Sequence, residues 1–223
     1  MSERLRMRIG GMTWTVRVAG RGRPVLLLHG FSGSGLSWAG LAGLGSRFRA
    51  IVPDLPGHGG TGWEADASAA PGHGATAPGK GEVGPGNGVA GPGRDVPTAS
   101  APDARPRASI ERTGDDLAVI AHRLGVERMD VVGYSMGARS ALRLAIAHPH
   151  LVRRLVLEAP SAGIADASAR AERTAADAAR ARLAVEEGIE AFAARWEAEP
   201  VLAGEAALPA EAMFCYKCGA RIA

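Results

Sequence analysis

The sequence predicts an α/β protein in which a mostly parallel sheet carries helices on both faces. Short continuous apolar runs closed by glycine or proline, at residues 25–28 and 50–52, are typical of strands buried on both faces of a sheet. In the second half of the chain, apolar runs alternate with segments of helical periodicity. Such an alternation implies right-handed crossovers between parallel strands.

The first part of the chain predicts a hairpin followed by buried strands. Residues 7–9 and 12–18 alternate between apolar and polar side chains, and Gly10 and Gly11 between them favour a tight turn. The two buried runs that follow would be bridged by a helix around residues 38–44.

Two strand–helix units follow in the second half of the chain. A helix over 110–124 should end at Gly125, and a strand is predicted at 129–132. A helix over 138–147, ended by a His-Pro pair, precedes a strand at 155–157. In sheets of this kind, functional residues lie at the carboxyl ends of the strands.

A low-complexity segment interrupts the predicted domain. Residues 64–108 are mainly Gly, Pro, Ala and small polar residues without apolar periodicity, so burial cannot offset the entropy of ordering them. We expect a disordered insertion there. The domain would then consist of residues 1–63 and 109–202, followed by a tail at 203–223.

Composition argues against several partners and locations. The formal net charge is +3 and the arginines are spread along predicted helices, which argues against nucleic acid. No run approaches the roughly 20 apolar residues that span a bilayer, and no apolar leader follows Met1, so neither a membrane nor export is expected. The two cysteines lie close together near the end of the sequence, which suits a reducing compartment. A cytoplasmic location is therefore predicted.

A G-x-S-x-G motif from Gly133 to Gly137 lies between a predicted strand and a predicted helix. In that context the serine, Ser135, sits on a sharp turn as a nucleophile. The backbone N–H of Met136 would donate to a developing oxyanion, and the N–H of Phe31 would be the second donor. The alternative is a serine that merely caps a helix.

Four segments carry a resemblance to a known family. They are 29–33 (HGFSG), 54–60 (DLPGHGG), 133–139 (GYSMGAR) and 157–164 (LEAPSAGI). Over residues 5–160 the chain resembles the α/β-hydrolase superfamily. Together the segments are most similar to the 2-succinyl-6-hydroxy-2,4-cyclohexadiene-1-carboxylate synthases of menaquinone biosynthesis, and residues 165–200 are similar to that family's cap helices.

The resemblance implies an elimination instead of a hydrolysis. Enzymes of that family remove pyruvate from an enolpyruvyl ether without a metal or a cofactor, and the activated serine serves as the base. Whether it acts as a base or as an acylated nucleophile, Ser135 needs a histidine to take its proton. The implied partner is an anionic small molecule, so cationic groups should face the pocket.

Four residues match the family's substrate-binding positions. Arg139 matches an arginine that binds a substrate carboxylate, and its alternative reading is an exposed helix arginine. Arg173 aligns with a second such arginine, although a solvated helix face would explain it as well. Tyr134 and Trp196 match pocket residues, and Trp196 could equally anchor a core.

A further group of residues is expected to support the loops around the serine. His29 would orient the oxyanion loop that contains Gly30, and Asp54 and His58 belong to the neighbouring turn motif. His58 is also a candidate for the catalytic base, but its place in the turn motif favours a role in shaping the neighbouring loop.

The sequence departs from the family after the cap. The triad acid and histidine should follow the serine in chain order, and no strand–Asp or Gly-His segment follows residue 200. A truncated or chimeric reading frame is the expectation, with a loss of rate on the order of 10⁴-fold. An incomplete sheet would leave an edge through which copies of the chain could associate.

The tail resembles half of a small zinc ribbon. Cys215 and Cys218 supply two ligands, whereas a structural zinc site needs four, so unligated thiols are expected. Three functions therefore compete: the pyruvate-eliminating lyase, a general serine ester or carbon–carbon hydrolase, and a non-catalytic zinc-knuckle interaction protein. Indifference to Arg139→Ala would favour the second, and stoichiometric zinc lost on Cys215→Ser would favour the third.

Overall fold

The computed structural model describes residues 2–63, 108–161 and 163–199. Within them the strands are β1 Ser2–Ile9, β2 Met12–Gly20, β3 Arg23–Leu28, β4 Phe48–Pro53, β5 Gly62–Trp63, β6 Met129–Tyr134 and β7 Val152–Glu158. The α-helices are α1 Ile110–Arg123, α2 Met136–Ala147, α3 Ala167–Glu186 and α4 Gly188–Glu197, and two 3₁₀ helices span Gly35–Ser46 and Pro149–Leu151. The predicted insertion and the cysteine tail lie outside the described residues, apart from residue 108.

The strands form one mixed sheet in the order β1-β2-β4-β3-β6-β7, with β5 paired to β2. The pairs β4–β3, β3–β6 and β6–β7 are parallel, whereas β1–β2 and β2–β4 are antiparallel. The predicted α/β class with a mostly parallel sheet is confirmed. The antiparallel part is the N-terminal hairpin joined to β4.

Local sequence signals explain where several elements turn or stop. Gly10 and Gly11 have φ values of 58° and 77°, the pair of positive angles that a type I′ hairpin turn requires. Helix α1 is capped at its N-terminus by Ser109, whose side chain accepts from the Arg112 N–H, and Gly125, with a φ of 67°, follows its C-terminal end. The Gly125 and Val126 N–H groups then satisfy the last carbonyls of the helix.

The core lies between the sheet and helices α1 and α2. Its largest fully buried side chains include Trp14, Leu28, Ile51 and Leu144. The Trp14 indole N–H donates to the Asp116 carboxylate across 3.3 Å, which gives this buried donor an acceptor. The core thus fixes α1 and α2 against the strands whose carboxyl ends carry the candidate site.

The helix predicted around residues 38–44 is present, but it is not an α-helix. The segment Gly35–Ser46 is a 3₁₀ helix. Four of its twelve residues are glycine, which disfavours an α-helix, and 3₁₀ geometry is common in connectors of this kind. The two-residue strand β5 was not predicted because so short a segment carries no periodicity.

The chain divides into two compact units, residues 1–160 and 161–223. The first contains the sheet, α1 and α2. In the second, α3 and α4 are joined through Glu187 and pack against each other. None of the helices in the described ranges is long and apolar enough to cross a membrane.

Candidate active site

Ser135 occupies the single residue between the end of β6 and the start of α2. Its backbone has φ 52° and ψ −111°, a conformation that a residue with a Cβ rarely adopts. Its N–H donates to the Glu158 carbonyl of β7 across 2.9 Å, and the residue as a whole is half-buried. The serine therefore sits on a sharp, fixed turn that is partly exposed to solvent.

The glycines on either side of Ser135 are required by close backbone contacts. A Cβ on Gly137 would lie 2.3 Å from the Leu28 carbonyl oxygen, and one on Gly133 would lie 2.5 Å from the Gly137 oxygen. Neither clash could be relieved by a side-chain rotation, because the atoms met are backbone. The first turn of α2 consequently rests directly on the end of β3.

The loop after β3 passes beside the serine. A Cβ on Gly30 would crowd the Tyr134 ring at 2.9 Å and would lie in ordinary contact with the Ser135 Cβ at 3.6 Å. Phe31 follows Gly30, and Met136 is the first residue of α2, where an amide has no acceptor within the helix. The structure therefore brings together the two segments whose amides were predicted to donate to an oxyanion.

His29 is a buried side chain with both ring nitrogens engaged. Its Nδ1 lies 2.7 Å from the Gly30 carbonyl oxygen, and its Nε2 accepts from the Leu55 N–H across 2.9 Å. These partners require a proton on Nδ1 and a lone pair on Nε2. Burial lowers the pKa of His29 from 6.5 to about 4, which keeps the ring neutral at physiological pH.

Asp54, directly after β4, holds three segments through its buried carboxylate. One oxygen accepts from the Arg17 guanidinium of β2 and from the Gly35 N–H, each across 2.7 Å. The other accepts from the Gly60 N–H across 2.9 Å. Because every contact is to the scaffold, the carboxylate orders the loops around the site.

His58 bridges its own turn and the oxyanion loop. Its Nδ1 lies 2.9 Å from the Pro56 carbonyl oxygen, and its Nε2 makes a short contact with the Phe31 carbonyl oxygen. Its ring also packs on those of Phe31 and His29, with centroids 5.5 and 5.3 Å away. Both histidines are thus occupied with backbone groups, and no hydrogen bond joins either of them to the Ser135 hydroxyl in the described part of the chain.

Two of the predicted substrate-binding residues lie next to the serine. Tyr134 precedes it and is 39% exposed, with its ring against Gly30. Arg139 lies on the first turn of α2 and its N–H donates to the Ser135 carbonyl. The Arg139 side chain is exposed and forms no ion pair with any residue in the described ranges. A cationic group therefore stands on the same helical turn as the serine.

The other two predicted residues belong to the second unit. Arg173 is exposed and donates through Nε to both Asp177 oxygens, at 2.8 and 2.9 Å, the ion pair expected of a solvated helix face. Trp196 stacks on Phe192, with centroids 6.1 Å apart, and Arg180 lies over its ring. These rings line a cleft of about 350 Å³ between α3 and α4. Substrate binding by Arg173 and Trp196 stays a prediction.

Sequence reasoning missed the residues that hold the loops in place. Arg17 was not singled out, although an arginine on the otherwise uncharged strand β2 indicates a carboxylate partner. Glu158 acts through its backbone carbonyl, which no side-chain motif could reveal. Cys215 and Cys218, the weak metal candidates, lie outside the described residues, and the described residues contain no cluster of metal-ligating side chains.

Comparison with known proteins gives three kinds of match. Residues 23–195 match the family described as the alpha/beta hydrolase fold. A Bacillus subtilis (strain 168) protein that carries the name 2-succinyl-6-hydroxy-2,4-cyclohexadiene-1-carboxylate synthase is 31% identical over 195 residues, covering 87% of this chain and 57% of the relative. A solved structure from Nostoc sp. PCC 7120, described as an alpha/beta hydrolase, has a TM-score of 0.49 and 26% identity, covering 70% of this chain and 42% of that one.

Two further relatives are similar at comparable levels. Protein PHYLLO, chloroplastic, of Arabidopsis thaliana is 28% identical over 198 residues, covering 86% of this chain and 10% of its own length. The magnesium-chelatase 30 kDa subunit of Rhodobacter capsulatus is 30% identical over 151 residues, covering 66% of this chain and 39% of its own length. The chain thus spans little more than half of the Bacillus relative and less of the others.

Proposed function

This chain belongs to the α/β-hydrolase family, and from that premise we propose that it is a pyruvate-eliminating lyase of the 2-succinyl-6-hydroxy-2,4-cyclohexadiene-1-carboxylate synthase type. Two facts support this choice within a family of many reactions. One is the identity with the Bacillus relative of that name. The other is the position of Arg139, an exposed cation one helical turn from Ser135.

The proposed reaction is an elimination driven by a base. The Ser135 oxygen, after its own proton has passed to solvent, takes a proton from the substrate ring, a carbon–carbon double bond forms, and the carbon–oxygen bond to the enolpyruvyl group breaks. Pyruvate leaves as its enolate, whose oxygen accepts hydrogen bonds from the Phe31 and Met136 amides, and the enolate then regains a proton. Water is neither consumed nor produced.

Ser135 is a weak base unless a histidine takes its own proton. His29 and His58 are engaged by backbone groups, so neither supplies this function in the described geometry. The proposal therefore carries the expectation that the chain turns over slowly, with a rate reduced on the order of 10⁴-fold relative to an enzyme with a complete triad.

Arg139 is the residue that distinguishes the proposed substrate from a neutral ester. The substrate carries several carboxylates, and a guanidinium can bind one of them through two parallel hydrogen bonds. Its exposed position without an ion-pair partner in the described ranges leaves it available for such an anion. A neutral substrate would gain nothing from this group.

Arg139→Ala is expected to lower kcat/KM for pyruvate release by about 10- to 100-fold, the effect of losing a charge-assisted hydrogen bond. Arg139→Lys should recover part of the loss by restoring the charge without the planar geometry. Release of pyruvate can be followed by coupling to lactate dehydrogenase. Arg128→Ala is the matched control, because this exposed arginine precedes β6 at the opposite end from Ser135.

A general serine ester hydrolase is the second candidate, since the turn at Ser135 would serve acyl transfer equally well. Hydrolysis of p-nitrophenyl acetate that depends on Ser135 and is indifferent to Arg139→Ala, without pyruvate release, would favour it. A zinc-knuckle interaction protein would instead contain stoichiometric zinc that is lost on Cys215→Ser.

A further inference from the structure

β7 is the outermost described strand on one side of the sheet, and it pairs only with β6 among the described strands. The Glu158 carbonyl accepts from Ser135, and Glu158 is aligned with Tyr134. Because backbone groups alternate along a strand, those of Leu155 and Leu157 point away from β6. The outer edge of β7 is therefore a template to which another strand could add.

The side chains of β7 fall on two different faces. Leu155 and Leu157 are partly buried and pack against the core, whereas Arg154, Val156 and Glu158 are exposed. Val156 is 53% exposed. Arg154 is aligned with Asp130 of β6 and attracts it electrostatically, but neither Arg154 nor Glu158 forms an ion pair within hydrogen-bonding distance of another residue in the described ranges. The exposed face thus has an apolar residue with a cation two residues before it and an anion two residues after it.

We propose that β7 pairs with β7 of a second copy of this chain, antiparallel, about a twofold axis at Val156. In this register Arg154 faces Glu158 of the second copy, twice by symmetry, and the two Val156 side chains face each other. Leu155 faces Leu157 of the second copy in the hydrogen-bonded positions, as the outward direction of their backbone groups requires. The charged pairs and the valine pair occupy the non-hydrogen-bonded positions, where side chains approach most closely.

Charge complementarity selects this register and this occupant. If the register shifted by two residues in one direction, Arg154 would face Val156 of the second copy. A shift in the opposite direction would place Glu158 opposite Val156. Either shifted register loses the Arg154–Glu158 ion pairs. Arg153 does not compete, because it is already held by Asp130 of its own chain. Charges on an edge strand also discourage unrelated strands, so the pattern favours a copy of itself.

Sedimentation of the full chain at micromolar concentration should show a dimer. In Arg154→Glu, the new glutamate of each copy would face Glu158 of the other copy. The variant should weaken the dimer at least about tenfold, since two attractive cross-strand pairs become repulsive. Glu158→Arg should do the same, and the double exchange Arg154→Glu with Glu158→Arg should restore the dimer. Arg21→Glu, at an exposed arginine in the turn after β2, makes the same charge change elsewhere and should have no effect.

A cysteine cross-link tests the register itself. In a background with Cys215→Ser and Cys218→Ser, Val156→Cys should form an intermolecular disulfide on oxidation, because the two Cα atoms lie within the range that a disulfide spans. Arg154→Cys in the same background should not. A monomeric chain, a dimer untouched by the charge reversals, or cross-linking through position 154 and not 156 would each overturn the proposal. None of these side chains belongs to the proposed catalytic machinery, so the dimer stands or falls separately from the lyase activity.

Discussion

At the scale of single residues, the conformation of Ser135 carries the most functional information. A non-glycine residue in a sparsely populated backbone region costs on the order of 1–3 kcal/mol and persists only where its surroundings hold it. The backbone of Ser135 is kept in this conformation by its hydrogen bond to the Glu158 carbonyl and by the close backbone packing of Gly133 and Gly137. Ala159, which follows Glu158 directly, also has a positive φ of 47°. Strain is thus concentrated where β6 and β7 end.

His29 is the second residue with a measurable consequence, because its burial makes folding depend on pH. The lowered pKa means that between pH 6.5 and about 4 the unfolded chain binds a proton that the folded chain does not. The free energy of unfolding should therefore decrease as the pH falls through this window. The full contribution of His29, present above pH 6.5, is about 3.5 kcal/mol, since one pKa unit corresponds to about 1.4 kcal/mol.

Urea unfolding at a series of pH values can isolate this contribution. His29→Gln keeps an acceptor for the Leu55 N–H and removes the titrating ring, so the variant should lose less stability than the wild type between pH 6.5 and 4. The carboxylates titrate in both proteins and cancel in the difference. Parallel stability profiles for the two proteins would show that His29 does not titrate with a lowered pKa.

At the scale of elements, the contact between α2 and β3 determines where the serine stands. Gly137 brings the first turn of the helix onto the Leu28 and His29 carbonyls. The same contact positions Met136, whose amide is proposed to face the leaving oxygen. The packing of α2 and the proposed catalytic role of Met136 therefore depend on the same close approach.

Gly137→Ala should destabilise the fold by about 1–3 kcal/mol, because a Cβ 2.3 Å from a backbone oxygen forces the helix away from β3. Gly40→Ala is the matched control, since a Cβ there meets nothing within 4 Å and should leave stability nearly unchanged. Thermal or urea unfolding measures both. Equal stabilities for the two variants would contradict the close packing.

The sequence predicted those elements whose signals are local. The hairpin turn at Gly10 and Gly11 and the end of α1 at Gly125 follow from residues that tolerate positive φ. The 3₁₀ helix could not be told from an α-helix, because its glycines weaken periodicity of either kind. The three-way attachment of Asp54 was also out of reach, since its donors come from segments distant in the sequence.

At the scale of the whole molecule, the two sides of the sheet end differently. On one side the hairpin strand β1 closes an antiparallel section, and on the other β7 ends a parallel section with an open edge among the described strands. The chain spans 57% of the length of its Bacillus relative, and the lyase activity proposed for it is taken from that longer protein. Strands β3 to β7, the serine turn and the loop after β3 all lie within residues 23–195, which match the family, whereas β1 and β2 precede that match.

Pyruvate release in a single turnover, with the full chain in excess over the enolpyruvyl ether, tests the central claim most directly. If the Ser135 oxygen takes the ring proton, the wild type should release pyruvate faster than buffer alone, and Ser135→Ala should reduce the rate to that of buffer while keeping the fold by circular dichroism. Equal rates for the wild type and Ser135→Ala would show that the serine at this turn does not carry the reaction.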